Sequence, residues 1–600
     1  IKTMKKYHLL VASIAFLGLS SCSDFLEEEP KSTLTTKDFY KNEGQARQAV
    51  NGAYRNLAGS NVTGYEVREI PNDLLKRATW DEANGLANFT YTASNNYITT
   101  MWQGHYAVIK DCNSAIERIE AGKDNIPNWE RYLAEARGIR AFLYFDLVRW
   151  FGDVPLVLTE TKTLADLQVP RAPQAEVFKQ IIDDFKYCME HTMDKGDTSH
   201  GYQYGRMTKD ACRGFLAKVH LWLGSVAQRD NKEILGSADS NFKSAMDYAK
   251  AVIDGQRYSL CDYYPDVFDA KTKEKAREEV LFCTEGMTGD NTGTWTGMMF
   301  GIRGSQEKGG SWDNISSSDF HRMMYEPSDS VRRLWNCPRV QLQEDGTLWG
   351  WDYRKYWDTR SDQKLSEATE NNNWVQWSIG KFRRYPLANP SSYNYTNFGM
   401  DEPLLRYADI LLIYAEAYNE VNHGPGSYTP STGTDLSGAG IRSAYDAVNL
   451  VRKRARIANS GIIHEDPLPR VLKKSYASLA DDCVPDWRPG SYGFIYDGVR
   501  NPMTYNHYQN DYDAFRNEIL NERARELVAE TTDRWCDLVR RGKLVSQMQM
   551  WRQYNPFISS TERNVLTPGA PENISERNML LPVPLSEMDV NKKLTQNPGY

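Results

Sequence analysis

The chain has 600 residues, 40% of them apolar and 25% charged, with a formal charge of −7 at pH 7. That is an ordinary globular composition, with length for a large core and two to four domain-sized units. An acidic balance without a basic stripe argues against nucleic acid as the main ligand, and after the N-terminal apolar run no segment is long enough to cross a bilayer.

In chain order, Lys5 and Lys6 precede an apolar run, Leu9 to Leu19. It is too short to span a membrane, which takes about 20 residues, and it fits the core of a secretory signal peptide. The run closes on Leu19-Ser20-Ser21-Cys22, the form of a bacterial lipobox. There the cysteine thiol is needed because a thioether attaches the diacylglycerol. The expectation is a signal peptide over 1–21, lipid on Cys22, and an acidic tether over 22–40 that includes Asp24, Glu27, Glu28 and Glu29. Two or more acyl chains on that residue anchor a soluble body stably, where one does not. The three lysines before Cys22 leave the remainder at −10.

The other eight cysteines are scattered, with no C-x-x-C pair. That disfavours a zinc ribbon or a redox motif. Several fall in helical patterns, where a cysteine is usually a small buried apolar residue.

Residues 128–151 predict a helix with one apolar stripe through Leu133, Ala136, Ile139, Arg140, Leu143, Tyr144 and Leu147. Gly152 and Pro155 stop it, and a second helix follows over 173–193. The pairing recurs at 208–225 with 241–255 and at 406–421 with 443–458. Arg137-Gly138-x-x-Ala141 and Arg213-Gly214-x-x-Ala217 repeat at the same helical phase, where small residues let helices approach closely. Helical hairpins that bury one face on the next build a solenoid. The pattern resembles tetratricopeptide repeats, unevenly spaced; an irregular bundle is the alternative. Over 284–400 the period vanishes, and Gly, Asn and Ser alternate with Trp and Tyr. A long aromatic-rich connection of this kind is functional rather than disordered. Residues 77–96 share its flavour.

A last helix is predicted over 514–544, with Leu520, Ala524, Leu527, Val528, Thr531, Trp535 and Leu538 on one face. Glu526, Glu530 and Arg534 step by four, which predicts ion pairs along the helix rather than catalytic carboxylates.

Here a resemblance becomes specific. The segment "NERARELVAETTDRWCDLVRRGKL" resembles the C-terminal signature helix of the SusD/RagB family of surface glycan-binding lipoproteins. "LLRYADILLIYAEAYNE", "ARGIRAFLYFDLVRWFGDVPLV", "CSDFLEEEP" and the ending Asn597-Pro598-Gly599-Tyr600 resemble other parts of that family. Cys536 departs from its usual aromatic residue. The resemblance implies a mainly α fold, an irregular tetratricopeptide-like helical-repeat scaffold with a long loop-rich insertion carrying few short strands. It also implies an outer-membrane location, surface export directed by the acids after Cys22, and a SusC-like TonB-dependent transporter as partner. The expected division is scaffold over about 41–270 and 400–460, ligand region over about 271–399, and a C-terminal region over 461–600.

No H-E-x-x-H, G-x-S-x-G, Walker or dinucleotide motif occurs, and the nine histidines show no ligand spacing. The expectation is therefore no enzyme, no metal and no cofactor beyond the lipid on Cys22. Two alternatives stay open: a polysaccharide-degrading enzyme, whose acids can lie far apart in sequence, and a repeat-type adaptor that binds protein. The 16 tryptophans and 35 tyrosines outnumber the 20 phenylalanines and suit half-wet surfaces. A sugar ring offers C–H groups to an aromatic face and hydroxyls to Asn, Asp and Arg. The candidate glycan-binding residues are Trp80, Asp81, Asn88, Tyr91, Trp295, Arg303 and Trp312. Trp102 and Tyr106 fall in a helical pattern and are assigned to packing.

Overall fold

The structure is a computed structural model. It describes most of 39–286, 399–456, 511–553 and 573–600, with short stretches between 296 and 382 and between 486 and 506. The expected signal peptide, Cys22 and most of the expected acidic tether lie outside the described residues.

The scaffold is helical: α1 (Glu43–Leu57), α2 (Asn96–Ala121), α3 (Trp129–Phe151), α4 (Gln174–His191), α5 (Lys209–Asp230), α6 (Ala238–Asp254), α7 (Tyr407–Asn422) and α8 (Ala444–Arg456). Side-chain caps start several of them. Asn95 accepts from the Tyr97 and Ile98 amides at 3.1 and 3.2 Å, and Thr208 accepts from Ala211 at 3.1 Å. Gly152, at φ +72°, ends α3 in a backbone conformation that a side chain would strain.

The three predicted hairpins form, and each packs on the next: α3 on α4, α4 on α5, α5 on α6, α6 on α7 and α7 on α8. The repeated glycines do what their phase implies. A Cβ on Gly138 would meet Cys188 Sγ of α4 at 2.7 Å, and one on Gly214 would meet Leu405 and Ile410 side chains at 2.6 and 2.7 Å. The stripe expected on α3 is instead burial all round, because α1, α2 and α4 enclose it. Even Arg140 is buried there. It grips Asp184 of α4 with two hydrogen bonds, at 2.8 and 3.0 Å, and Asn113 of α2 at 2.8 Å. Trp102 is buried, edge-on to Phe151, and Tyr106 donates to the Pro155 carbonyl, so both pack as expected. The seven described cysteines are all buried, and none of them is in a disulfide.

The predicted single helix over 514–544 is two: α9 (Asp511–Leu527) and α10 (Asp533–Arg540), followed by α11 (Leu544–Gln553). Chemistry at the break explains it. The last carbonyls of a helix have no intrahelical partner. Here the Glu526 carbonyl accepts from Arg406 at 2.7 Å and Lys381 at 2.9 Å, and that of Val528 accepts from Lys381 at 2.9 Å. Ala529 then turns at φ +58°. The chain reverses, so that Arg534 donates back to the Leu520 carbonyl at 3.1 Å. Trp535 of α10 stacks on Trp150 of α3, centroids 4.2 Å apart.

Strands are few and short. β2 (Val280–Thr284) pairs antiparallel with β5 (Glu402–Arg406) across the two ends of the loop-rich insertion. β1 (Leu75–Arg77), β3 (Ile315–Ser317) and β4 (Trp377–Ser378) form a three-stranded sheet in that order. Among the described residues, no helix is long and apolar enough to cross a membrane.

Candidate ligand region and its anchorage

The β1–β3 ladder matters most for the site. Its register is Leu75 opposite Ser317, Lys76 opposite Ser316 and Arg77 opposite Ile315. In an antiparallel pair, the residues after Arg77 and those before Ile315 leave the sheet at the same end. Those are the two stretches singled out for alternating aromatics with Asn, Asp and Gly, and the sheet joins them at their bases. Trp80, Asp81, Trp295, Arg303 and Trp312 themselves lie outside the described residues.

Two candidates are described. Asn88 is half-buried, and its carbonyl accepts from Asn573 at 3.2 Å. Tyr91 is only 3% exposed. Its ring stacks on Tyr600 at 6.0 Å, and Asn578 donates to its hydroxyl at 3.1 Å. A glycan platform needs a free aromatic face, and Tyr91 has given its face to the C-terminus. Tyr91 is therefore corrected to a packing residue.

Beneath the ladder, buried polar groups tie the sheet to the C-terminal helices. Asp73, just before β1, takes two hydrogen bonds from Arg534 of α10, at 2.7 and 2.5 Å, and its carbonyl accepts from Ser318 at 2.7 Å. His321 contacts Ser317 Oγ and Tyr325 OH, each at 2.8 Å, and Tyr325 donates to the Arg525 carbonyl at 2.9 Å. Burial, with the nearby Lys381 and Arg534 charges, lowers the His321 pKa to about 3, so the ring is neutral.

The carboxylates of α9 lie at the centre of this base. Glu518 and Glu522 do pair within the helix, with Arg525 at 2.6 and 2.7 Å, but Glu526 and Glu530, expected to pair along the helix with Arg534, pair instead with cations from elsewhere. Arg332 donates to Glu522 at 2.7 Å and to Glu526 at 3.1 Å. Arg406 donates to Glu279 and Glu526, each at 2.7 Å, and pairs with Glu530. Arg454 joins Glu526 and Glu279, and Lys381 joins Glu530. All these groups are buried. Burial raises the Glu526 pKa, but Arg454, Arg406, Arg332 and Lys381 overcome that and hold it near about 2. Burial lowers Lys381 to about 8 against the pull of Glu530. A second chain of charges, Lys218–Asp409–Arg523–Asp537–Arg540–Glu416, locks α10 to α5 and α7. Sequence reasoning missed these partners because each lies on a distant element; a high density of charge inside otherwise apolar helices was the available signal.

As chemistry, these carboxylates are permanent anions held by fixed cations, unsuited to giving or taking a proton. One exposed group looks catalytic on paper. Asp197, Ser199 and His200 are mutually hydrogen-bonded, but the ring meets both Asp197 (2.6 Å) and Ser199 (3.1 Å) through Nδ1. A relay needs the two ring nitrogens to face different partners. Among the described residues, no group of three or more His, Cys, Asp or Glu could hold a metal ion.

Comparison with known proteins agrees with this architecture. Residues 339–600 match the model of the SusD family, and 24–221 match one described as starch-binding associating with outer membrane. The chain is 26% identical to SusD-like protein P2 of Formosa agariphila over the full length of both. A SusD homolog from Bacteroides thetaiotaomicron superposes with a TM-score of 0.70 at 20% identity, covering 94% of this chain and 98% of that one. A laminarin-binding SusD-like protein superposes at 0.58 with 18% identity, over 94% and 100%. With two models of one family over both halves, a full-length relative and the same helical fold, the chain belongs to the SusD-like family, whose matched model describes association with the outer membrane.

Proposed function

We propose that this protein captures an oligosaccharide or polysaccharide at the cell surface without cleaving it and passes it to a TonB-dependent outer-membrane transporter. Family membership over both halves of the chain carries the reading, strengthened by a laminarin-binding neighbour of the same fold. The ligand site is proposed where the β1–β3 ladder joins the bases of the two aromatic loop regions, with Trp80, Asp81, Asn88, Trp295, Arg303 and Trp312 as its residues. The scaffold over about 41–270 and 400–460 carries the ligand region of about 271–399. Lipid on Cys22 holds the body at the outer membrane, with the acids behind it directing surface exposure. The paired and buried α9 carboxylates favour binding over hydrolysis. A glycan-array screen followed by product analysis tests the reading: binding with the glycan left intact supports it, and shortened products replace it with the enzyme reading.

A further inference from the structure

The insertion leaves the scaffold after β2 and returns to it at β5, and the ladder between those strands stops at Thr284 opposite Glu402. Beyond that pair, side chains make the cross-links. The Gly286 amide on the outgoing stem donates to Asp401 Oδ1 on the returning one at 3.2 Å. Lys273 closes the ring. Its ammonium lies 2.6 Å from the same Oδ1 and donates to the Gly286 carbonyl at 2.8 Å. One side chain thus grips both stems, and both backbone polar groups of Gly286 are engaged.

Stability alone is a poor account of this ring. Asp401 is 5% exposed, and its second oxygen, Oδ2, is buried with no hydrogen-bond partner among the described residues. Burial pushes the Asp401 pKa up, against the hydrogen bond and charge of Lys273. The other charges that face it are Arg277 and Glu285, and Glu285 is a like charge. Lys273 also opens a short helix, Lys273–Glu279, where a cation opposes the helix dipole. Apolar residues of similar size often stabilise such a spot as well or better, and an ion pair is best used where one geometry must be specified.

The other end of that helix is fixed. Glu279 accepts from Arg406 at 2.7 Å and from Arg454 at 3.1 Å, within the buried network of the α9 carboxylates. Lys273 therefore reaches the stems from a rigid base. We propose that Lys273 is a positioning residue for glycan binding: by gripping Gly286 and Asp401 it sets the direction in which the insertion that carries β3 leaves the scaffold. The role rests on the reading that this insertion binds the glycan; the grip itself does not.

The test compares the purified parent with three variants by hydrogen exchange at the Gly286 amide, by melting temperature, and by titration with the tightest-binding oligosaccharide of a glycan array. Lys273→Met should speed exchange at Gly286 by about tenfold and weaken the oligosaccharide by about tenfold. Lys273→Arg keeps the charge and the donors and should restore both. Lys273→Met combined with Asp401→Asn removes both charges but leaves the Gly286 amide an acceptor. Its melting temperature should match the parent's while its affinity stays low, a split that a purely structural role would not produce. Unchanged exchange in Lys273→Met overturns the grip, whether or not any glycan binds. Faster exchange with unchanged affinity overturns the positioning role, as does a double variant whose affinity and melting temperature fall together. A parent that binds no glycan overturns the functional reading and the role with it, and the exchange measurement tells that failure from failure of the grip.

Discussion

Asp73 and Arg534 are separated by most of the chain, yet they meet in a buried bidentate pair, with N···O distances of 2.7 and 2.5 Å. Through it, α10 holds the chain entering β1, and β1 holds β3. The C-terminal signature helix is thus a foundation for the proposed ligand loops rather than a part of the site.

Removing one partner of a buried pair leaves the other charge uncompensated and costs about 3–5 kcal/mol. Arg534→Ala should lower denaturant stability by that order and weaken glycan binding as well, since β1, which leads to Trp80 and Asp81, loses its tie. Arg534→Ala combined with Asp73→Asn should recover part of the stability. Unfolding curves and calorimetric titration of the parent and both variants check this; a single variant as stable as the parent would contradict it.

Acid should unfold the protein in two steps of the same sign. His321 titrates at about 3 in the folded protein, well below its ordinary 6.5. Between those values the unfolded chain takes a proton that the folded protein refuses, so stability falls as pH drops below about 6.5. Glu526 and Glu416, each held near about 2 against an ordinary 4.5, add stability above 4.5 that is lost as pH falls toward 2. Chemical denaturation from pH 8 to pH 3 should show the decline begin near 6.5 and steepen below 4.5. His321→Gln should flatten the first part alone.

The helical framework was legible because the periodic apolar spacing of α3 to α8 comes straight from 3.6 residues per turn. Gly138 and Gly214 were legible as contact points for the same reason. The break between α9 and α10 was not, because no proline or glycine marks it. It comes from Lys381 and Arg406, which capture carbonyls that a continuous helix would use. Partner choice for Glu526 and Glu530 was equally hidden, since a single sequence shows charges but not which distant cations face them. Tyr91 read as a loop aromatic because nothing local shows that Tyr600 returns to cover it.

Aromatic residues should divide by role. Single alanine changes at Trp80, Trp295 and Trp312 should each cost about 2 kcal/mol of glycan binding, roughly 30-fold in affinity, with little change in melting temperature. Tyr91→Ala should do the reverse, lowering the melting temperature through loss of the Tyr600 stack. If the three tryptophan changes unfold the protein or leave affinity untouched, those rings belong to the scaffold.

Cys22→Ala should leave the chain unlipidated and off the cell surface while the body still folds. Cell fractionation with surface labelling reads this directly; a variant that stays membrane-bound and surface-exposed would remove Cys22 as the anchor.

The most direct measurement is titration of the purified protein with the glycan that an array identifies, followed by mass analysis of that glycan after prolonged incubation. The account predicts saturable binding and recovery of the glycan at its original length. Shortened products, or no binding to any glycan while a protein partner is bound, would contradict it.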